Sequence, residues 1–487
     1  MNILTSPPPQ PAACPQSFSR RQALLGAACG FGYLAFAGLA HRAAAAAAAS
    51  PGSALAPRTP HFAPRARRVL FLCMKGGPSH VDSFDHKPEL TRADGQVAPF
   101  LAGGGARLLG SPFEFSQHGE SGLWISELFP RLARHADKLC LLRGMHTDLP
   151  NHPQAFLQLH TGSFQFVRPS LGSWTLYGLG SDNENLPGFI TLNPPTDFGG
   201  VRNYGNAFLP SAYQGTRIGS GQIPELYAAL LGRDQEPGPP LRHLENERHG
   251  RAVQRAQVDL INGLNRRRLL ADPEQPEIEG AIESMELAFR MQAEIPGVLE
   301  LQNETESTLG LYGIGDDATD RFGRQCLLAR RLLEAGVRFV EVTAPTDWDH
   351  HHLLRDSMVK SCATVDQPIA GLLTDLDQRG LLQDTLVIWA GEFGRTPYAQ
   401  GLGDGRDHNH RGFTIWMAGG GVRGGHSHGA TDEFGYMARE QTMHIHDLHA
   451  TILHLLGLDH RDLTFRHAGR NFRLTDVHGR VAHEILA

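Results

Sequence analysis

The sequence has few of the patterns that assign a protein to a common functional class. Its 487 residues include only six cysteines and no Cys-x-x-Cys pair, which argues against a zinc ribbon. The net charge of −6 gives no sign of nucleic-acid binding. The glycine runs at 76–77 and 419–421 do not have the form of a phosphate-binding loop. Histidine is what remains: there are 26, and histidine is the commonest metal ligand in proteins.

The first 50 residues have the pattern of a twin-arginine export signal. Arg20 and Arg21 precede the apolar run Gly26–Ala40, and small residues follow it. A membrane anchor is the alternative, but the run is shorter than the ~20 residues that a spanning helix needs. We therefore predict a signal peptide at 1–50, a Pro/Ala linker at 51–65, and a periplasmic or secreted protein with no stable membrane span after cleavage.

Strand-like and helix-like segments alternate over the rest of the chain, 66–487. Uninterrupted apolar runs of this kind are typical of buried parallel strands, so we predict an α/β fold with a mostly parallel central sheet flanked by helices. Strand-like runs are missing from 214–320, which we interpret as a helical insertion. The predicted strands are Val69–Met74, Leu139–Leu142, Gly188–Leu192, Val337–Val342, Leu386–Trp389 and Phe413–Met417. The predicted helices are Trp124–Lys138, Pro153–His160, Glu245–Leu270, Glu277–Ala293, Phe322–Ala335, Ser357–Arg379 and Thr442–Leu456.

Ligand-type side chains are concentrated in three loops, each of which follows a predicted strand. Parallel strands place such loops at one edge of the sheet. Mixed sets of Asp, Glu and His suit zinc, manganese or iron. The loops are Ser79–Asp85 with His80, Asp82 and Asp85, then Asp347–His352, and finally the segment from Glu392 to His410.

Each loop also has an ordinary structural interpretation. Asp82 and Asp85 could be helix N-caps, and Glu392 could form an ion pair with Arg395. At least one of the three consecutive histidines 350–352 must point away from any site. We predict that most of the remaining clustered histidines are not ligands, because they lie in a Gly-rich turn or at helical spacing: His426, His428, His444, His446, His449 and His454.

Several ordered blocks resemble the bacterial exported family called domain of unknown function 1501. They are GGPSHVDSFDHKP (76–88), ARRLLEAGVRFVEV (329–342), WDHH, GEFGRTP (391–397), GRDH (405–408), AGGGVRGG (418–425), GATDEFG (429–435) and HDLHATILHLLGLDH (446–460). The resemblance covers nearly all of 66–487. It implies the sandwich fold of the alkaline phosphatase and sulfatase superfamily, with metal sites at the carboxyl ends of strands.

The resemblance also implies a set of metal ligands. Asp347 and His351 match a D-x-x-x-H element, with Asp349 as the alternative carboxylate. His408, which precedes the strand that ends in Gly419, matches a third ligand, with His410 as its competitor. At a second metal the usual Asp-His pair is replaced by Glu392 and Phe393, so the histidine ligand is missing. His80, Asp82 or Asp85 would substitute for an absent first-strand aspartate.

The position of the expected nucleophile departs from the family pattern. Sulfatases and phosphatases place Cys, Ser or Thr at a helix start about ten residues before a Thr-Gly pair, and here His152 occupies that position. A covalent Ser or Cys mechanism is therefore in doubt, and no C-x-P-S-R sequence is present for a formylglycine sulfatase. His152 is a candidate nucleophile, general acid/base or replacement metal ligand.

Together these features predict an exported metal-dependent hydrolase of phosphate or sulfate esters, acting on a small-molecule or saccharide ester and not on nucleic acid. One or two divalent ions are expected, zinc first, with manganese, calcium or magnesium as alternatives. A histidine or a metal-bound hydroxide would attack the metal-polarised ester. Arg395 and Arg406 would face the anionic group, and Asp407 would support or complete the metal site. The alternatives are a non-catalytic periplasmic binding or assembly protein and a metal-dependent isomerase or mutase.

Overall fold

A nine-stranded sheet organises the part of the chain that the computed structural model describes, residues 54–100, 105–219, 248–272, 275–400 and 403–487. The predicted signal peptide, 1–50, and residues 51–53 of the predicted Pro/Ala linker lie outside these ranges, whereas residues 54–65 of the linker lie within them. The strands are β1 Arg68–Cys73, β2 Phe115–His118, β3 Leu123–Ser126, β4 Leu139–His146, β5 Phe189–Leu192, β6 Thr216–Ile218, β7 Phe339–Thr343, β8 Thr385–Ala390, β9 Gly394–Gln400, β10 Gly405–Asn409, β11 Phe413–Ala418, β12 His426–His428, β13 Ala430–Thr431, β14 Ala438–Glu440, β15 Met443–His444, β16 Phe465–His467 and β17 Arg470–Phe472.

The α-helices in the described ranges are α1 Pro88–Arg92, α2 His152–Thr161, α3 Leu171–Leu179, α4 Arg251–Ala271, α5 Pro276–Leu299, α6 Glu306–Leu311, α7 Asp320–Glu334, α8 Leu354–Gln378 and α9 Ile445–Leu455. Within those ranges, none of the helices combines the length and the apolar character needed to cross a membrane.

The sheet runs almost entirely in one direction. Its strand order is β12-β4-β11-β8-β1-β7-β5-β6, with β15 also paired to β4. Only β11 runs antiparallel to its neighbours among the described strands of this sheet; the other pairings are parallel. The carboxyl ends of β1, β4, β7 and β8 therefore meet the amino end of β11 at one edge.

Both faces of the sheet are buried, as the continuous apolar runs require. Successive residues of β1 point to opposite faces. Leu70 and Leu72 belong to one core cluster, while Val69 and Phe71 belong to the other. Helices α7 and α8 contribute to the first cluster, and α2, α3 and α9 to the second. The predicted α/β fold with a mostly parallel sheet between helices is confirmed.

Three local predictions fail for identifiable reasons. The helix predicted at Trp124–Lys138 is instead strand β3 followed by a 3-10 helix at Leu132–Lys138, because Pro130 interrupts the segment and β3 pairs with β2. The segment from Glu392 to His410 contains the hairpin β9–β10 rather than a loop alone. The edge strand β6 lies inside the range that we expected to lack strands.

Candidate metal centre

The candidate metal centre lies at the sheet edge that carries the carboxyl ends of β4, β7 and β8. His152 is the first residue of α2, whose start is favoured by Pro153 in its first turn. Asp349 and His351 follow β7 in the loop that leads to α8. His408 belongs to β10, in the hairpin between β8 and β11. Because β11 is antiparallel to β8, this hairpin remains at the same edge.

Four side chains from these three segments converge on one point. The ligand-type atoms of His152, Asp349, His351 and His408 all lie within 4.8 Å of one another. Asp349 Oδ1 is 2.8 Å from His351 Nε2, 3.0 Å from His152 Nε2 and 3.2 Å from His408 Nε2. The sequence had singled out all four residues. The structure selects Asp349 over Asp347 and His408 over His410 as members of this cluster.

Each of the three imidazoles is held in place through its Nδ1 atom. Since an oxygen acceptor faces each Nδ1, that nitrogen carries the hydrogen, and the lone pair of the neutral ring is on Nε2. Such outer contacts are typical of metal-binding histidines. The acceptors are Glu392 Oε1 for His152 at 2.6 Å, the Pro150 carbonyl for His408 at 2.7 Å, and Gln400 Oε1 for His351.

Charge in the cluster is concentrated on Asp349. Burial alone would raise the pKa of Asp349, but the adjacent imidazoles of His152 and His408 and the guanidinium of Arg395 hold that pKa well below its usual range. Burial would lower the pKa of His152, but the neighbouring carboxylates of Asp349 and Glu392 raise the pKa of the metal-free ring to about 9. The site therefore keeps a carboxylate charge and draws positive charge toward it.

The donor set fits a divalent cation. His351 Nε2 and His408 Nε2 lie 3.0 Å apart, and both rings already donate through Nδ1. Two lone pairs at that distance repel each other unless a proton or a cation lies between them. Three imidazole nitrogens and one carboxylate oxygen are ligands that suit zinc and related transition metals.

Glu392 lies behind His152 and not beside the other three members of the cluster. Its side chain is fully buried, and it accepts hydrogen bonds from His152 Nδ1 and from the backbone N–H of Gly76 at 3.0 Å. We had predicted Glu392 as half of a second metal site. Its contacts instead make it the residue that orients His152, and the alternative interpretation, an ion pair with Arg395, is not formed among the described residues.

Asp347 and Asp407 lie next to the cluster without joining it. Asp347 forms an ion pair with Lys75 at 3.4 Å, and Lys75 also pairs with Asp197 at 3.2 Å. Burial raises the pKa of Asp347, although Lys75 opposes this shift. Asp407 accepts the backbone N–H of His408 at 2.7 Å. Both residues support the segments that carry the cluster.

The first loop does not supply ligands to the cluster. His80 Nε2 contacts the Gly435 carbonyl at 2.8 Å. Asp82 is fully buried and forms a bidentate ion pair with Arg406, at 2.7 and 3.0 Å. Asp85 is also buried and contacts Lys87, Arg143 and Thr431. The predicted roles of these three residues as substitute ligands therefore have no support in the geometry.

The two predicted anion-binding arginines are placed differently. Arg395 reaches the cluster, because it donates to Asp349 Oδ1 at 2.5 Å and to the Gly77 carbonyl at 2.9 Å. Arg406 has no exposed surface and is committed to Asp82. Arg406 therefore does not face the cluster. Its charge is needed because an unpaired carboxylate in the interior would be strongly destabilising.

The remaining histidines of the second loop turn away, as expected for at least one of three in sequence. His350 is buried, and its Nε2 contacts the Asp347 carbonyl at 3.1 Å. His352 has 66% of its side chain exposed and lies 3.6 Å from Asp404. The side chains of His350 and His352 point away from that of His351, so only His351 of these three faces the cluster.

Two aromatic rings complete the surroundings of His152. Phe198 stacks on the imidazole with 4.8 Å between ring centroids and 6° between planes, and it has a positive φ of 49°. No sequence pattern pointed to Phe198. Phe393 packs against both His152 and His408, at 4.7 and 4.8 Å. The residue that we regarded as a missing ligand is thus an apolar wall of the cluster.

Comparison with known proteins gives one family match and a set of similar solved structures. A family model described as "Protein of unknown function (DUF1501)" matches residues 66–486. None of the curated proteins compared with the chain matches it.

Similar solved structures include the lipoteichoic acid synthase LtaP from Listeria monocytogenes, with 9% identity over 86% of this chain and 78% of that chain and a TM-score of 0.35. They also include the alkaline phosphatase from the Antarctic bacterium TAB5, with 10% identity, 82% and 99% coverage and a TM-score of 0.33. The PsFucS1 sulfatase from Pseudoalteromonas sp. has 14% identity, 81% and 68% coverage and a TM-score of 0.33. Similarity at this level carries no information about substrate or mechanism.

Proposed function

The chain belongs to the family described as "Protein of unknown function (DUF1501)", and from this premise we propose that it is an exported metal-dependent hydrolase of phosphate or sulfate esters. The observation that carries the proposal is the convergence of three histidine Nε2 atoms and one carboxylate oxygen at the sheet edge formed by the carboxyl ends of the parallel strands. Chemistry of α/β enzymes is concentrated at such an edge. The substrate would be a small-molecule or saccharide ester.

His152, Asp349, His351 and His408 are the residues that would hold the cation, and zinc is the ion that this donor set suits best. When bound, such an ion supplies Lewis-acid polarisation of an ester oxygen and a lowered pKa for water. His152 is then a ligand rather than a free nucleophile. The contact between Glu392 and His152 Nδ1 supports this role, because it fixes the ring with Nε2 toward the cluster.

Other side chains would prepare the site for an anionic substrate. Arg395 braces Asp349 and brings positive charge to the cluster. Lys75, with only 6% of its side chain exposed, adds a second positive charge beside Asp347. Phe198 and Phe393 cover His152 and reduce the access of water to it. A lower local dielectric strengthens the attraction between these cations and an ester anion.

The proposal is tested by metal analysis and turnover on the purified full chain. The assay measures zinc per chain and hydrolysis of an aryl phosphate, an aryl phosphodiester and an aryl sulfate. The test variants are His351→Ala and His408→Ala. His352→Ala is the matched control, because this neighbouring histidine is exposed and contacts only Asp404 among the ion pairs described. We expect both test variants to lose the zinc ion of this cluster, that is, one ion per chain, together with turnover, and the control to keep both.

Full zinc content and turnover in both test variants would overturn the assignment of the site. A wild-type chain that binds zinc at this cluster but hydrolyses none of the three esters would instead favour the non-catalytic binding protein. One feature supports that second function: the helix start where a hydroxyl or thiol nucleophile was expected carries His152, whose Nδ1 lies 2.6 Å from Glu392 and whose Nε2 lies 3.0 Å from Asp349.

A further inference from the structure

A second group of ligand-type side chains lies inside the molecule, on the sheet face covered by α2. It consists of Cys73 on β1, His160 on α2 and Glu341 on β7. The three residues are 0, 4 and 2% exposed. Their ligand-type atoms lie within 4.8 Å of one another. A thiol, an imidazole and a carboxylate are seldom brought together in an apolar core without a function, because burying them is unfavourable.

The sheet register explains why these groups share one face. Parallel pairing sets Cys73 opposite Thr343 and Phe71 opposite Glu341. Parallel pairing of β5 with β7 sets Thr191 opposite Glu341. Residues in register, and residues two apart on a strand, point to the same face of the sheet. Four polar side chains of three neighbouring strands therefore face α2 in the middle of an apolar core.

Hydrogen bonding leaves this group incompletely satisfied. His160 donates from Nδ1 to the Phe156 carbonyl at 2.7 Å, which directs Nε2 toward the strands. The nearest acidic atom to Nε2 is Glu341 Oε1 at 3.4 Å, and Nε2 has no hydrogen-bond partner among the described residues. The hydroxyls of Thr191 and Thr343 also have none in that part of the chain. Buried polar atoms are normally satisfied by protein, water or an ion.

We propose that Cys73, His160 and Glu341 form a second, buried binding site for a thiophilic divalent cation such as zinc. Thiolate sulfur, imidazole nitrogen and carboxylate oxygen are the three ligand types of zinc in proteins. The ion would join β1, β7 and α2 and would stabilise the folded state. This site is independent of the proposed hydrolase function, since it shares no ligand with the cluster at the sheet edge.

The protonation of the Cys73 thiol is compatible with metal binding in which the metal ion displaces the proton. Burial raises the pKa of the Cys73 thiol, and the acidic Glu341 and Glu392 add to this shift, so the metal-free sulfur is protonated. Burial lowers the pKa of His160, but Glu341 more than offsets this and raises it above its usual value. Binding of Zn²⁺ would displace the proton of the thiol, because the thiolate is the form of cysteine that binds metals.

The site also has room for a small fourth ligand. A cavity of about 10 Å³ is bordered by two of the three proposed ligands, His160 and Glu341, by Asn203 and by mostly apolar residues, and Cys73 does not line it. This is about the volume that one water molecule requires. Zinc is usually four-coordinate, so three protein ligands and one water would complete the set.

Cobalt(II) substitution of the full chain tests the proposal, because a cobalt–thiolate bond gives a charge-transfer absorption in the near ultraviolet that imidazole and carboxylate ligands do not give. The protein is produced with Co²⁺ in the medium, since the ligands are buried. Cys73→Ser is the test variant. Cys140→Ser is the matched control, because Cys140 is another fully buried strand cysteine in the same core cluster.

We expect the wild type and Cys140→Ser to show the absorption. Cys73→Ser should lose the absorption and should bind one cobalt ion fewer per chain than the wild type. His408→Ala should keep the absorption while it loses the ion at the sheet edge, which separates this proposal from the hydrolase assignment. Absence of the band from the wild type, or its persistence in Cys73→Ser, would overturn the proposal. If Cys73→Ser does not fold, the cobalt content of Glu341→Gln is measured instead. The proposal requires this variant to bind one cobalt ion fewer per chain than the wild type, and an unchanged cobalt content would overturn the proposal.

Discussion

At the scale of single residues, the candidate centre depends on the contacts behind its histidines. An imidazole binds a metal well only when its ring orientation is fixed and its other nitrogen donates to an acceptor. Glu392 supplies a charged acceptor to His152 at 2.6 Å and is itself fixed by the Gly76 N–H. The carboxylate also increases the basicity of His152. Glu392 should therefore determine metal affinity without touching the metal.

Replacing Glu392 by Gln tests whether the charge of Glu392 determines the zinc affinity of the cluster. The amide oxygen can still accept from His152, but the negative charge is lost. We expect zinc affinity to fall about 10–100-fold, measured by competition with a chelator of known affinity. The control is Asp404→Asn, which removes an exposed carboxylate 3.6 Å from His352 and should leave affinity unchanged. Equal affinities for the wild type and Glu392→Gln would mean that Glu392 does not orient the ligand.

Single residues also show what the sequence could and could not predict about the site. Asp349, His351 and His408 were proposed because Asp and His are concentrated in loops after buried strands and because the family resemblance singles out these positions within the loops. Asp82 and Arg406 were assigned to the site for the same reason, but they pair with each other across 324 positions in the chain. Residue type does not reveal which partner a buried charge will have, because that depends on the tertiary fold.

At the scale of elements, the centre depends on how closely the loops after β1 and β7 approach each other. Gly76 has a φ of +108°, and its backbone faces the loop that carries Asp347 and Asp349. A Cβ at this position would overlap Asp347 Oδ1 and would lie 2.6 Å from the Trp348 backbone nitrogen. Only glycine combines this φ with so little space.

Gly76→Ala should therefore destabilise the protein and disturb the metal site. Strain from the positive φ and steric overlap together should lower the free energy of unfolding by about 3 kcal/mol, measured by urea denaturation. Gly95→Ala is the control, because Gly95 also has a positive φ, +73°, but has nothing within 4 Å of its Cβ position. Gly95→Ala should lower the free energy of unfolding by about 1 kcal/mol. An equal loss of unfolding free energy in Gly76→Ala and Gly95→Ala would show that the close approach of the loops after β1 and β7 does not constrain the site.

Most elements could be predicted because their hydrophobic periodicity is strong. Strands β1, β8 and β11 are dominated by apolar runs, β7 is apolar except for Glu341 and Thr343, and α8 and α9 have helical spacing. The hairpin β9–β10 could not be predicted in this way. Its strands have the sequences GRTPYAQ and GRDHN, and buried arginines in ion pairs or backbone contacts replace the apolar residues of an ordinary strand.

At the scale of the whole molecule, the buried cysteines bear on where the chain folds. All four cysteines in the described ranges, Cys73, Cys140, Cys326 and Cys362, are free and buried. Free thiols that cross a membrane in an unfolded chain would meet an oxidising compartment before they are protected. Folding and metal loading before the export that we propose would avoid this, and the twin-arginine pattern in the first 50 residues motivates that proposal.

We therefore expect export to depend on the arginine pair and not on charge alone. The double variant Arg20→Lys, Arg21→Lys keeps both positive charges but removes the guanidinium pair of the predicted twin-arginine signal. It should remain in the cytoplasmic fraction with its fold and zinc intact, whereas the wild type reaches the periplasmic fraction or the medium. Arg42→Lys is the control, since Arg42 follows the apolar run and lies outside the pair. Export of the double variant at the wild-type level, measured by cell fractionation, would mean that the chain leaves the cytoplasm by another route, and the folded-export explanation for its buried free thiols would then fail.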